Sequence, residues 1–319
     1  MKNIFKLTFL LTVSLSFCCK AQEVKINGQV LDSENLFPLP YVNIMVVDHL
    51  IGTSTNEEGK FELNLQNISG DNKVVFSNLG FENLIISVDS LLKLQRIQMK
   101  PSVIVLEEVV IGKKKKIKYK TLKLDKINKS RSNLFYSTKA FEKGESLWVP
   151  YRASEPTIEA VFFPNDFSSQ ILLNKIELYL SSFADTSIFR VRIYNVDENN
   201  FPNQDIIELP IQTIKKGKTL LEIKLSDYDI EMPDKGLFIG LELIMTETNL
   251  SSFTNKEGFE TKIQSPFLLY KLQREHYSFY RYSKGKWEKV ELYGPRYSEE
   301  MPIRYNKPAI NLIVNQIKD

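Results

Sequence analysis

Histidine and cysteine are nearly missing from this 319-residue chain, which has two of each. Both cysteines, Cys18 and Cys19, stand close to the N-terminus. If that stretch is removed, the remaining chain has no cysteine, which excludes disulfides, a thiol nucleophile and thiolate zinc sites together. A catalytic zinc needs about three N or O ligands beside an open position. His49 runs into Leu50-Ile51-Gly52 and His276 into Tyr277-Ser278-Phe279, so neither starts a His-x-x-Glu pair. A Ser-His-Asp triad would have to recruit those same two histidines. A Gly-x-Ser-x-Gly elbow, a P-loop and a dinucleotide fingerprint are all lacking. Charge of one sign is lacking too. A net charge of +3 gives no basic face of the kind that nucleic-acid binders carry. No catalytic residue, metal or cofactor is expected.

What is present at the N-terminus is an export signal. Lys2 and Lys6 precede the apolar run Leu7 to Phe17. Its length of about eleven residues suits a signal-peptide core and falls short of the roughly 20 needed to cross a bilayer. Cys19-Lys20-Ala21 predicts cleavage after Ala21. Lipidation at Cys18 or Cys19 is the less favoured alternative, since Phe17 is bulky before Cys18 and Ser16 is three residues before Cys19. No later segment is apolar and long enough to span a membrane.

The rest reads as short strands. With 43% hydrophobic and 25% charged residues the composition is that of an ordinary globular protein. Val24, Ile26 and Val30 alternate with polar positions, as do Val42, Ile44 and Val46, then Phe61, Leu63 and Leu65, then Val74 and Phe76, then Leu84, Ile86 and Val88. Period-2 patterning between turn residues predicts a β-sandwich. From Lys113 to about Pro150 lysines dominate and apolar residues thin out, predicting a basic linker with room for a helical turn around Leu122 to Ile127. Strand patterning returns at Ile158–Phe163, Leu172–Leu180, Phe189–Tyr194, Leu220–Leu225, Leu237–Leu243, Tyr277–Tyr282, Trp287–Leu292 and Ala309–Val314. The chain is therefore expected to be all-β: a signal peptide over 1–21, a sandwich over 22–112, a linker over 113–150 and a jelly-roll-like sandwich over 151–319.

The first of these sandwiches carries Gly28-Gln29-Val30-Leu31-Asp32, then Pro38-Leu39-Pro40-Tyr41-Val42-Asn43-Ile44, Gly52-Thr53-Ser54-Thr55-Asn56-Glu57-Glu58-Gly59-Lys60-Phe61, and Phe76-Ser77-Asn78-Leu79-Gly80-Phe81. In this order and spacing they resemble the carboxypeptidase regulatory-like domain, a transthyretin-like Greek-key sandwich. Physically they read as turn-makers and core: Gly28 permits a close approach in a strand, and Gly59 takes positive φ ahead of Lys60. The segment Leu106-Glu107-Glu108-Val109-Val110-Ile111 resembles the one that follows this domain in TonB-dependent outer-membrane receptors, where it pairs with a partner by strand addition. The chain after it is too short for a receptor barrel, and the segment also suits a closing strand of the sandwich. The later part is similar to accessory sandwiches of secreted bacterial proteins, through Phe189 to Asp197, Phe201-Pro202 and Gly236 to Glu242.

Two sites remain as candidates for recognition. Tyr280, Tyr282 and Trp287, with Arg281 beside them, form an aromatic group suited to stacking on sugar rings. Leu106 to Ile111 is the candidate strand for a TonB-type partner. Among acidic residues, Glu155, Glu159, Glu177 and Glu242 are those a carboxylate-only glycosidase would draw on, and the oxygen-rich loop Asp197 to Asp205 is the place for a Ca²⁺. The expected protein is a non-enzymatic binding or scaffold module in the periplasm, outer membrane or cell surface of a Gram-negative bacterium, with an envelope glycan or outer-membrane protein as partner.

Overall fold

The structure is a computed structural model that describes residues 23–102, 118–125, 134–135, 155–254, 258, 260–293 and 302–318. The opening strands are β1 (Glu23–Asp32), β2 (Asn43–Val46), β3 (Gly52–Ser54), β4 (Lys60–Gln66), β5 (Lys73–Ser77), β6 (Leu84–Ser87) and β7 (Arg96–Met99), with one helical turn, α1 (Val88–Leu91), before β7. They form two sheets, ordered β4-β1-β7 and β3-β2-β5-β6. β1 runs antiparallel to β4 and parallel to β7. The period-2 pattern does what it predicts along β4, where Phe61, Leu63 and Leu65 are buried and their neighbours exposed. With Val30, Ile97 and Met99 they face Ile44, Val46, Val74 and Phe76 of the other sheet in one core.

The motif residues build the turns. Asn56 Oδ1 accepts the N–H groups of Glu58 and Lys60, and Gly59 has φ +70°. Thr55 Oγ1 accepts from the Val42 N–H and donates to the Leu39 carbonyl. A Cβ at Gly28 would stand 2.7 Å from the Phe61 ring, so the close approach is real. β2 departs from alternation: all four of its residues are buried, because its outer face is covered by the second half of the chain.

That half is also all-β. Its strands are β8 (Tyr119–Lys123), β9 (Leu134–Phe135), β10 (Ile158–Phe163), β11 (Ile171–Val196), β12 (Pro202–Ile207), β13 (Gln212–Lys224), β14 (Leu237–Leu243), β15 (Leu250–Thr254), β16 (Glu260–Gln264), β17 (Phe267–Leu268), β18 (Tyr270–Gln273), β19 (Phe279–Ser283), β20 (Lys286–Val290), β21 (Tyr305–Pro308) and β22 (Ile310–Ile317). A large sheet runs β20-β19-β10-β14-β11-β22-β8, with β12, β13 and β17 also pairing with β11. β15 pairs with β16, and β21-β18-β9 form a small sheet of their own.

β11, at 26 residues, organises this unit. Its first half pairs with β22 and β13 and its second with β14, β12 and the start of β13. Ile176, Leu178 and Leu180 from the first half and Phe189, Val191 and Ile193 from the second enter one core. The inward positions change from even to odd across a register shift between Ser182 and Thr186. That slip splits one continuous strand into two apparent ones in the sequence.

The lysine-rich stretch is not all connector. Tyr119–Lys123 is extended and adds to β22 at the edge of the large sheet, and Leu134–Phe135 pairs with β18. The helical turn expected around Leu122 therefore gives way to a strand. Lys123 finds a buried carboxylate there, as Glu177 lies 2.8 Å away, and that cross-strand pairing outweighs weak local helix propensity.

Candidate functional site

The second half of β11 alternates between two environments. Phe189, Val191 and Ile193 point into the core, so Arg190, Arg192 and Tyr194 point out. β14 lies alongside in register and sets Glu242 opposite Arg190. Outward charges on a sheet normally meet water, yet Arg190 is 5% exposed, Arg192 6% and Glu242 0%. The cover is the first sandwich.

Glu242 bridges the two arginines: Arg190 Nη1 donates to Oε1 at 3.2 Å and Arg192 Nη1 to Oε2 at 2.6 Å. Arg192 turns its remaining fork to Asp205, with Nε on Oδ1 at 2.6 Å and Nη2 on Oδ2. Arg190 reaches across the joint to the carbonyls of Tyr41 (2.9 Å) and Pro40 (3.4 Å) and to Asn78 Oδ1 (2.9 Å). From the other side Asn43 Nδ2 donates to Glu242 Oε1 at 2.6 Å, Ser54 Oγ donates to Asn43 Oδ1, and Ser54 Oγ accepts the Met245 N–H. Burial pushes the Glu242 carboxyl up, but the charges of Arg192 and Arg190 outweigh it and hold it below its ordinary value. Charges this deep persist only when paired and hydrogen-bonded.

Beside this network lies an aromatic core shared by the two halves. Met45 of β2 packs with Ile158, Ala160, Tyr194, Phe238, Tyr280 and Tyr282. The Tyr280 ring stands edge-on to Phe238 at 4.9 Å and to Phe201 at 5.3 Å. Trp287 contacts Tyr282 at 5.3 Å and Tyr194 at 5.6 Å. The group chosen as a sugar platform is thus drawn into the joint: Tyr280 is 5% and Tyr282 8% exposed, and burial together with the Glu155 charge pushes the Tyr282 hydroxyl up to about 12. A sugar ring reaches the Tyr280 and Tyr282 faces only if the joint opens, while Trp287 is half-buried at its edge. Arg281 leaves the group altogether, turning to the opposite face to pair with Glu159 at 2.8 Å.

The four candidate carboxylates are each engaged. Glu155 accepts from Ser283 Oγ and the Lys284 N–H, where the β19–β20 turn meets the first sandwich. Glu159 accepts from Arg281 and the Tyr270 hydroxyl. Glu177 is held by Lys123, Lys175 and Asn311. Register sets Glu242 opposite Ile158, so Glu159, next along β10, lies on the other face of the sheet, and the two cannot flank one bond. In the oxygen-rich loop Asp197 Oδ1 accepts the N–H groups of Asn199 and Phe201, and Asp205 is spent on Arg192. Among the described residues, no group of three or more His, Cys, Asp or Glu is placed to hold a metal. Leu106, Glu107, Glu108, Val109, Val110 and Ile111 lie outside the described residues.

Asn43, Ser54 and Asn78 are the residues that sequence reasoning passed over. They sit within the motif pieces of the first sandwich and read as turn or strand polar residues, but they are what grips the second. Asn43 carried the one available signal: a polar residue between Val42 and Ile44 in an otherwise apolar strand.

Residues 26–111 match the family described as the CarboxypepD_reg-like domain. The first sandwich is therefore a carboxypeptidase regulatory-like module, a non-catalytic β-sandwich, and the match takes in Leu106 to Ile111. No curated protein matches the chain.

Proposed function

We propose that the chain, with a carboxypeptidase regulatory-like module as its first sandwich, is a non-enzymatic exported protein of the cell envelope that binds a glycan or protein partner as one rigid two-sandwich body. The observation that carries this reading is the Arg190–Glu242–Arg192 bridge sealed under Pro40, Tyr41, Asn43 and Asn78. In this reading the module's work is intramolecular: it covers one face of the second sandwich and fixes its orientation. Glu155, Glu159, Glu177 and Glu242, the acids available for hydrolysis, are each committed to structural partners. Export rests on Lys2, Lys6 and the apolar run from Leu7 to Phe17.

The test uses the whole chain from Gln22, since residues 151–319 alone would bare Arg190, Glu242 and the aromatic core. Oligosaccharide arrays and pull-down from outer-membrane extracts should retain a partner, and cell fractionation with N-terminal sequencing should recover exported protein beginning at Gln22. Turnover of a glycan by the purified chain, lost on substituting one carboxylate, would refute the non-enzymatic reading. Retention of an energy-transducing TonB-type protein would point instead to an accessory of an uptake receptor.

A further inference from the structure

The β19–β20 hairpin has two ends with opposite fates. Its turn is under the first sandwich, where the Asp48 N–H donates to the Lys284 carbonyl at 3.0 Å and Gly285 lies against Val47. Its other end, roughly 20 Å away at about 3.4 Å per residue, leads to His276 and Tyr277 on one strand and to Glu291 and Tyr293 on the other. Tyr305, at the start of β21, bridges to Tyr293 there. This end faces solvent: Tyr293 is 58% exposed, and the His276 and Glu291 side chains are 45% and 46% exposed.

The rings are ordered around Tyr305. His276 stands edge-on to it at 5.2 Å, Tyr277 edge-on at 6.5 Å, and Tyr293 lies at 5.7 Å with an angle of 34°. Glu291 ties the rim together, accepting from the Tyr293 hydroxyl and pairing with His276 Nε2 at 3.3 Å. Those two contacts hold its carboxyl below the ordinary value. The result is an apolar surface edged by a hydroxyl, a carboxylate and an imidazole. A pyranose has the matching form, with C–H bonds on its flat face and hydroxyls, each both donor and acceptor, at its edge.

We propose that His276, Glu291, Tyr293 and Tyr305 form a sugar-binding site, with the outer face of Tyr293 as the stacking surface and Glu291 and His276 as hydroxyl partners. It rests on the reading above that the protein recognises an envelope glycan, and it moves recognition from the group around the buried Tyr280 and Tyr282 to the open end of the same hairpin. The ligand lies over the rings and not between them. A guest between two rings needs centroids roughly 7–8 Å apart, twice a carbon contact, and Tyr293 and Tyr305 are 5.7 Å apart.

The mature full-length chain is applied to immobilised β-linked oligosaccharides of glucose, mannose and N-acetylglucosamine, and the sugar retained is then titrated against variants. Tyr293→Ala and Tyr305→Ala should each weaken binding about tenfold, the fold-change matching the upper range of one aromatic contact. Tyr228→Ala, another exposed tyrosine, should leave it unchanged, and the melting temperature of Tyr293→Ala should match that of the parent. Sugar binding that persists undiminished in both variants overturns this site and leaves glycan recognition standing. A parent chain that retains no sugar overturns both. Tetramethylammonium binding that depends on Tyr293, without sugar binding, overturns the ligand class.

Discussion

Glu242→Gln is the substitution that tests the joint most directly. The side chain keeps its shape, so no cavity opens, and only the charge and one acceptor change. In the native joint two guanidinium groups, Arg190 and Arg192, face two carboxylates, Glu242 and Asp205. After the change Asp205 alone remains, and it is bound to Arg192. Arg190 then lies 5% exposed with carbonyl oxygens and Asn78 but no counter-ion. Each lost charge pair is worth about 4 kcal/mol at 4 Å with an effective dielectric constant near 20. Two pairs are lost, offset by several kcal/mol for the carboxylate that no longer has to be desolvated. The net expectation is a loss of about 3–5 kcal/mol, the range seen when a buried pair loses one partner. That is a large share of the roughly 5–15 kcal/mol that holds a domain folded.

Urea unfolding followed by Trp fluorescence and by far-ultraviolet circular dichroism reads it out. Trp287 reports on the joint itself, through its contacts with Tyr194 and Tyr282. The parent should unfold with the two signals coincident. Glu242→Gln should lower the midpoint, with the Trp signal changing first as the joint opens. Adding Arg190→Met removes the stranded charge, so the double variant should recover at least about 1 kcal/mol relative to the sum of the single losses. A loss below about 1 kcal/mol for Glu242→Gln, or strictly additive losses in the pair, would refute the account of the joint as a charge-compensated bridge.

Other perturbations follow from the same contacts. Burial raises the Glu177 carboxyl, but Lys123, Asn311 and Lys175 outweigh that and bring it to about 2. A depressed folded value means stability present above about pH 4.5 and lost as pH falls toward 2. Discounted for two cations that are a third exposed, it is about 2–3 kcal/mol, and Glu177→Gln should flatten the acid limb of a stability-versus-pH curve. Gly28→Val forces a side chain into the Phe61 ring, 2.7 Å from where its Cβ would sit; a loss of about 1–3 kcal/mol is expected in thermal melts. Lys286→Ala breaks a pair with Asp48 whose side chains are 52% and 65% exposed, and the urea midpoint should stay where it is in the parent.

Alternation made most of the fold legible. β10 and β14 occupy Ile158–Phe163 and Leu237–Leu243, the spans their apolar runs predict, because both faces are covered: Val161, Phe163, Ile239 and Leu241 enter the large core, and Ile158, Ala160 and Phe238 enter the joint. β11 shows the limit. Its register slip reverses inward parity, and no single-residue signal marks a bulge that leaves both flanks strand-like. The outward face of the second half of β11 was legible as Arg190, Arg192 and Tyr194, but its destination was not. A strand with charges on one face reads the same whether that face meets water or another domain. The difference lies in Asn43, Ser54 and Asn78, far away in sequence, and in backbone carbonyls at Pro40 and Tyr41 that no side-chain pattern encodes. Tyr280, Tyr282 and Trp287 are ambiguous for the same reason: an aromatic-rich face suits an intramolecular interface as well as a ligand.

A joint with this composition has a consequence for what the regulatory-like module contributes. An apolar contact such as Met45 against Tyr280 and Phe238 is non-directional, and a sliding of the two sandwiches changes it little. The Glu242 bridge tolerates no such slide. Arg190 must meet Glu242, two carbonyls and Asn78 at once, and a shift of one residue along β2 would carry Asn43 to the opposite face of its strand. Buried ion pairs add little net stability compared with well-packed apolar residues, so the bridge contributes orientation more than strength. The module then fixes the angle between its own sheets and the β19–β20 hairpin, whose turn it also holds through Asp48 on Lys284 and Val47 against Gly285. With its turn anchored in this way, the hairpin keeps one orientation to the module, and a ligand at the site proposed for its open end would meet Tyr293 at a set angle to the first sandwich.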